Sequence, residues 1–67
     1  MLIDNGLTKL INLKTLNLSK NGITKIDGLN TLVNLKTLNM FHNSIMNITG
    51  LNNLCNLEYL DLSFNKI

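Results

Sequence analysis

Leu29-Asn30-Thr31-Leu32-Val33-Asn34-Leu35-Lys36-Thr37-Leu38-Asn39-Met40-Phe41-His42-Asn43-Ser44-Ile45 is the stretch that decides the fold. Its leucines recur every third residue from Leu29 to Leu38, and the spacing then drops to two, between Leu38 and Met40. The first spacing suits tight turns and the second a strand, so the stripe changes where a strand is entered. The same switch recurs 22 residues earlier and 22 residues later. Leu7, Leu29 and Leu51 fall in one column, as do Leu16, Leu38 and Leu60, then Leu18, Met40 and Leu62, then Asn21, Asn43 and Asn65. Such a period implies stacked coils with one strand each, in which a single row cannot bury its apolar side and neighbours share a core.

Local signals alone point elsewhere. Leu16 to Ile26 alternates around Asn21-Gly22, which in isolation reads as a β-hairpin. The other rows reject it, because Ser44 and Lys66 stand where Gly22 does. Parallel strands are therefore expected to centre on Thr15–Leu18, Thr37–Met40 and Tyr59–Leu62. The chain should return through 3-10 or short helical turns around Leu7–Leu13, Leu29–Leu35 and Leu51–Leu57. Asn21, Asn43 and Asn65 sit where each coil leaves its strand, and their amides can satisfy turn backbone groups in an internal ladder. Asn12, Asn34 and Asn56 form a second column, expected on the rim with local backbone bonds. Gly28 and Gly50 suggest a backbone angle that disfavours side chains. Ile11, Val33 and Cys55 form an apolar column in which Cys55 reads as a half-buried small hydrophobe.

The chain has 67 residues, 45% hydrophobic and 15% charged, with a net charge of +2. This suits one domain over residues 1–67, with repeats at about 7–28, 29–50 and a partial 51–67, and gives no reason to expect nucleic acid or membrane as a partner. The start lacks the charged and apolar segments of a signal peptide, which favours an intracellular, cytoplasmic chain. One cysteine excludes an intramolecular disulfide. Neither end shows a polar cap. Asp4 falls in the column of Ile26 and Ile48, and one extra residue within Ile3–Gly6 would return Ile3 to it. Uncapped ends are expected, with a longer array or a covering partner at each, and end-to-end contact with other chains or repeats becomes possible.

The row from Asn34 to Ile45, followed by Ile48-Thr49-Gly50-Leu51, resembles the SDS22-like class of leucine-rich repeats, with its N-x-I-x-x-I-x-G-L tail. The resemblance spans roughly Leu7 to Ile67. It implies an α/β solenoid: a right-handed coil of about three 22-residue repeats, each with one parallel strand and a 3-10 or short helical convex side. It also implies a binding scaffold, as in phosphatase-regulatory, axonemal and spliceosomal relatives. Bacterial internalins share the period but usually carry proline where Gly28 and Gly50 stand, and this chain has no proline.

If Leu16 and Leu18 face the core, strand alternation turns Thr15, Asn17 and Ser19 outward along a concave sheet. The same offset gives Thr37, Asn39 and Phe41, then Tyr59, Asp61 and Ser63, with Lys20, His42 and Phe64 at the rim. Phe41, Tyr59 and Phe64 are all the aromatic residues of the chain, and all fall in these outward columns. Thr37, Asn39, Phe41, His42, Tyr59, Asp61 and Phe64 are thus the candidate face for a protein partner. The competing reading has the rings packing only on neighbouring strands. A catalytic role is not expected: one histidine beside Asp61, Ser63 and Ser19 on an open sheet lacks the pocket that a nucleophile and its base require. No cofactor or metal site is expected either, from one His, one Cys and four scattered carboxylates. Besides an interaction module, an end-stacking structural subunit and an extracellular adhesion fragment fit the pattern.

Overall fold

The computed structural model describes residues 10–67, so the first-row position of Leu7 and the register of Ile3–Gly6 lie outside the described residues. Three short strands, β1 (Thr15–Asn17), β2 (Thr37–Asn39) and β3 (Tyr59–Asp61), form one parallel sheet in the order β1-β2-β3. Thr15 pairs with Thr37 and Thr37 with Tyr59, while Leu16, Leu38 and Leu60 lie side by side. The register therefore joins the residues that the sequence columns align.

Leucines at a spacing of three suit consecutive turns, because i→i+3 bonding eclipses side chains and keeps them on one side. Such bonds run from the Leu32 N–H to the Leu29 carbonyl and from Leu35 to Leu32, both at 3.0 Å, and again from Leu54 to Leu51 and Leu57 to Leu54, both at 3.1 Å. They do not propagate into helix. The described residues contain no helix, so of the expected 3-10 or short helical turns only single i→i+3 turns are present, and the α/β class is corrected to strands joined by turns. The turn ends because the next amides belong to the sheet. The Lys36 and Thr37 N–H groups converge on the Lys14 carbonyl at 2.8 and 3.0 Å, and Glu58 and Tyr59 converge likewise on Lys36.

The core is Ile23, Ile26, Leu29, Leu32, Leu35, Leu38, Met40, Ile45 and Leu54, mostly residues of the middle coil with a coil on each side. Leu16, Leu18, Leu57 and Leu62 of the outer coils pack on it only half-buried. Ile11, Val33 and Cys55 are exposed. That corrects the expectation of a half-buried column: these residues occupy the outward corner of each turn, where being apolar does not bring burial.

Asn43 is the one buried polar residue in the described core. Its side-chain oxygen accepts from the N–H groups of Asn21 (3.0 Å) and Ile23 (2.9 Å), and its amide nitrogen donates to the carbonyls of Leu18 (3.0 Å) and Met40 (2.9 Å). Asn65 repeats the pattern one coil on, accepting from Ile45 and donating to Met40 and Leu62. On the opposite side of the coil the Asn34 amide donates to the Ile11 carbonyl at 3.2 Å and Asn56 to Val33 at 3.0 Å. These are bonds between coils, whereas local bonds were expected. Asn53 adds another to Asn30 at 3.2 Å.

Gly28 and Gly50 adopt φ of +86° and +79°. At Gly50 a β-carbon would also lie 2.4 Å from the Ile26 carbonyl oxygen, so the neighbouring coil occupies the space of a side chain. Gly22 has φ of +65° but nothing within 4 Å of a β-carbon. Gly50→Ala should thus cost both backbone strain and overpacking, about 2–4 kcal/mol, and Gly22→Ala only the strain, about 1–2 kcal/mol. Equal shifts of the two urea midpoints would contradict this account of coil packing.

Candidate partner-binding face

Each coil leaves its strand by the same short construction. The Asn17 side-chain oxygen accepts from the Ser19 N–H at 3.0 Å, Asn39 from Phe41 at 2.9 Å, and Asp61 from Ser63 at 2.9 Å. A carboxylate or amide bonding the backbone two residues on is a common turn device, and here it aims the residue after the strand. Lys20, His42 and Phe64 then adopt left-handed φ of 58°, 57° and 57°. None is a glycine, so roughly 1 kcal/mol of strain per site is held in place by the bonds on either side. These turns set the side chains of Phe41, His42 and Phe64.

The result is a cluster of rings from adjacent coils. Phe41 and Phe64 meet edge-on, with centroids 5.3 Å apart and planes at 67°. His42 lies 6.0 Å from Phe41 and 6.5 Å from Phe64. Edge-to-face contact is the favoured geometry for such rings. Packing on each other does not bury them: Phe64 remains 72% exposed and His42 is exposed, while Phe41 beneath is half-buried.

Tyr59 and Asp61 form a second group at the strand itself. Tyr59 starts β3, opposite Thr37, and is 54% exposed. Asp61 lies opposite half-buried Asn39. Bonds from the Ser63 hydroxyl and N–H, with a further one from the Tyr59 hydroxyl, hold the Asp61 carboxyl below its ordinary value against a small opposing effect of burial. Asp61 therefore stays ionised through the neutral range and gives the face a fixed negative charge. Asn39 supports the face differently, since its oxygen is committed to the Phe41 N–H. The candidate residues thus divide into a ring cluster of Phe41, His42 and Phe64 and a polar pair of Tyr59 and Asp61, with Thr37 and Asn39 beside them on β2.

The left-handed residues were not legible from the sequence, since Lys20, His42 and Phe64 share no backbone preference. The signal lay three columns away, in the recurring Asn17, Asn39 and Asp61. An open depression of about 420 Å³ lined by Thr24, Lys25, Met46, Asn47, Ile48 and Thr49 lies apart from the rings and carries no histidine or carboxylate. Among the described residues no three His, Cys, Asp or Glu side chains gather where they could hold a metal ion. No helix of the described residues is long and apolar enough to cross a membrane.

Stacked coils that contribute one strand each to a parallel sheet, with leucines inside and asparagines closing the turns, define a repeat solenoid. The family described as leucine-rich repeats in two copies matches residues 11–53 and again 33–67, and the chain belongs to it. No curated protein matches the chain. Leucine-rich repeat domains are non-enzymatic modules that generally mediate protein–protein interaction.

Proposed function

We propose that this chain is a protein-interaction module of the SDS22-like kind, built on a right-handed coil of 22-residue repeats, that holds a protein partner on the outward face of its sheet. Phe41 and Phe64 act as anchors, and His42, Tyr59 and Asp61 supply polar complement beside them. The observation that carries this reading is the pair of phenylalanine rings that pack edge-on and yet leave Phe64 72% exposed. Aromatic residues are enriched at interface centres, and charged residues such as Asp61 belong to the polar rim around them. The subclass rests on the tail columns, where Gly28 and Gly50 take φ of +86° and +79°. By analogy with that class, the setting is an intracellular assembly of the phosphatase-regulatory or cytoskeletal type.

The test is competitive capture. Proteins retained from a cell extract by the immobilised chain, quantified by mass spectrometry, should fall about fivefold or more with Phe64→Ala or Phe41→Ala, a loss of over about 1 kcal/mol. Asn30→Ala, on the turn side, should retain them. Circular dichroism checks that each variant remains folded. Retention lost with Asn30→Ala and kept with both phenylalanine variants would overturn the assignment of the face.

A further inference from the structure

The turn that leaves each strand needs one side-chain oxygen, and an amide is enough to supply it. Asn17 receives the Ser19 N–H at 3.0 Å and Asn39 the Phe41 N–H at 2.9 Å; in β3 Asp61 does the same for Ser63, at 2.9 Å. The third coil therefore carries a negative charge that its turn does not require. That charge is held by the Ser63 hydroxyl and N–H and by the Tyr59 hydroxyl, and no cation of the described residues contributes. The charges around the sheet are divided. Lys14 and Lys20 flank β1 and Lys36 precedes β2, all exposed, whereas Glu58 precedes β3 and Asp61 ends it.

We propose that the protein partner held on this face presents a lysine, whose ammonium group contacts Asp61 while its stem crosses Phe41. Asp61 lies opposite Asn39. The ladder continues past the strands, with the Met40 and His42 N–H groups on the Asp61 and Ser63 carbonyls at 2.8 and 2.9 Å. Phe41 thus stands beside Ser63, one diagonal step from Asp61, roughly 7–8 Å away and within reach of a long side chain. A lysine stem covers ring surface while its charged end stays at the carboxylate, and a cation beside a ring gains further attraction. The lysines around β1 and β2 repel the same group, so the charge pattern places it over β3. The inference rests on the partner-binding reading of the outward face and adds which side chain that face selects. Contact comes from the front of the sheet, so neither sheet edge takes part.

The acceptor geometry favours lysine over arginine. A carboxylate offers about four acceptor directions. The Ser63 N–H and hydroxyl both act on Oδ1, and the Tyr59 hydroxyl takes a third direction. What is left receives a single N–H end-on, as an ammonium group supplies. A guanidinium fork gains its advantage by engaging both oxygens at once, and Oδ1 is already filled.

NMR titration of the full chain with three end-blocked tripeptides, leucine-lysine-leucine and its norleucine and arginine counterparts, tests it. The lysine peptide should shift the amide signals of Tyr59, Asp61 and Ser63 and bind about three- to tenfold more tightly than the norleucine peptide, with arginine no tighter than lysine. Asp61→Asn keeps an oxygen for the turn, as Asn17 and Asn39 do, and should bring the lysine and norleucine peptides to one affinity. Phe41→Ala should weaken all three peptides. Circular dichroism confirms the fold of each variant. Equal affinity for the lysine and norleucine peptides, tighter binding of the arginine peptide, or a lysine advantage that survives Asp61→Asn would each overturn the lysine assignment while leaving the partner face standing. Peptides that shift neither Phe41 nor Phe64 would overturn the face itself and the lysine assignment with it.

Discussion

Leu38→Ala is expected to leave little folded protein at room temperature. Leu38 is fully buried in the middle of the sheet, with Leu16 on one side and Leu60 on the other in register. Truncation removes its transfer energy and leaves a cavity that two strands held by main-chain bonds cannot collapse into, about 2–5 kcal/mol together. A domain of this size is worth roughly 3–10 kcal/mol in all, so the loss takes a large share of it. Leu60 occupies the same column but is 37% exposed, and Leu60→Ala should cost only about 1–2 kcal/mol. Urea titrations followed by circular dichroism separate the two. Equal losses would mean that the coils do not share a layered core.

The contrast between Leu38 and Leu60 explains why the fold was legible in the sequence. Every stacked layer repeats the same packing problem, so a column of leucines records a column of contacts, and the strands fall within the expected spans. The outward face of the sheet was legible for a related reason, since alternation along a short strand fixes which residues turn outward. What escaped were features where chemistry does not reveal geometry. Apolar Val33 is exposed because it stands on a turn corner, and Asn34 reaches the Ile11 carbonyl of the preceding coil although nothing in its own neighbourhood marks that target. Of the 3-10 or short helical turns expected on the turn side, single turns closed by i→i+3 bonds are the ones present. The converging bonds of Lys36 and Thr37 to Lys14 return the chain to the sheet before a helix can form.

Asn39 shows the same limit. As an outward strand residue it reads as free to contact a partner, and Asn39→Leu reads as silent. Its oxygen instead receives the Phe41 N–H at 2.9 Å, next to the left-handed His42. Replacing it loosens the turn that aims the phenylalanine, so its effect should reach the ring cluster before it reaches the core.

Asn43→Leu should be the most damaging polar substitution in the chain. Leucine is nearly isosteric with asparagine, so the change isolates hydrogen bonding from volume. It strips partners from the N–H groups of Asn21 and Ile23 and from the carbonyls of Leu18 and Met40. An unsatisfied buried group costs about 1–3 kcal/mol. The bonds to Ile23 and Met40 are the fully buried ones and the other two are partly exposed, so about 3–6 kcal/mol in total is expected, enough to unfold the chain. Asn43→Asp divides the effect, because a carboxylate keeps the two accepting bonds and loses the two donating ones while placing charge beside two carbonyl oxygens. It should be nearly as harmful at neutral pH and partly rescued below about pH 4, where a protonated carboxyl can donate again. Asn21→Leu, whose side chain is exposed and makes one bond among the described residues, should shift the urea midpoint far less. Comparable losses at Asn21 and Asn43 would show that the internal amide ladder does not hold the coils together.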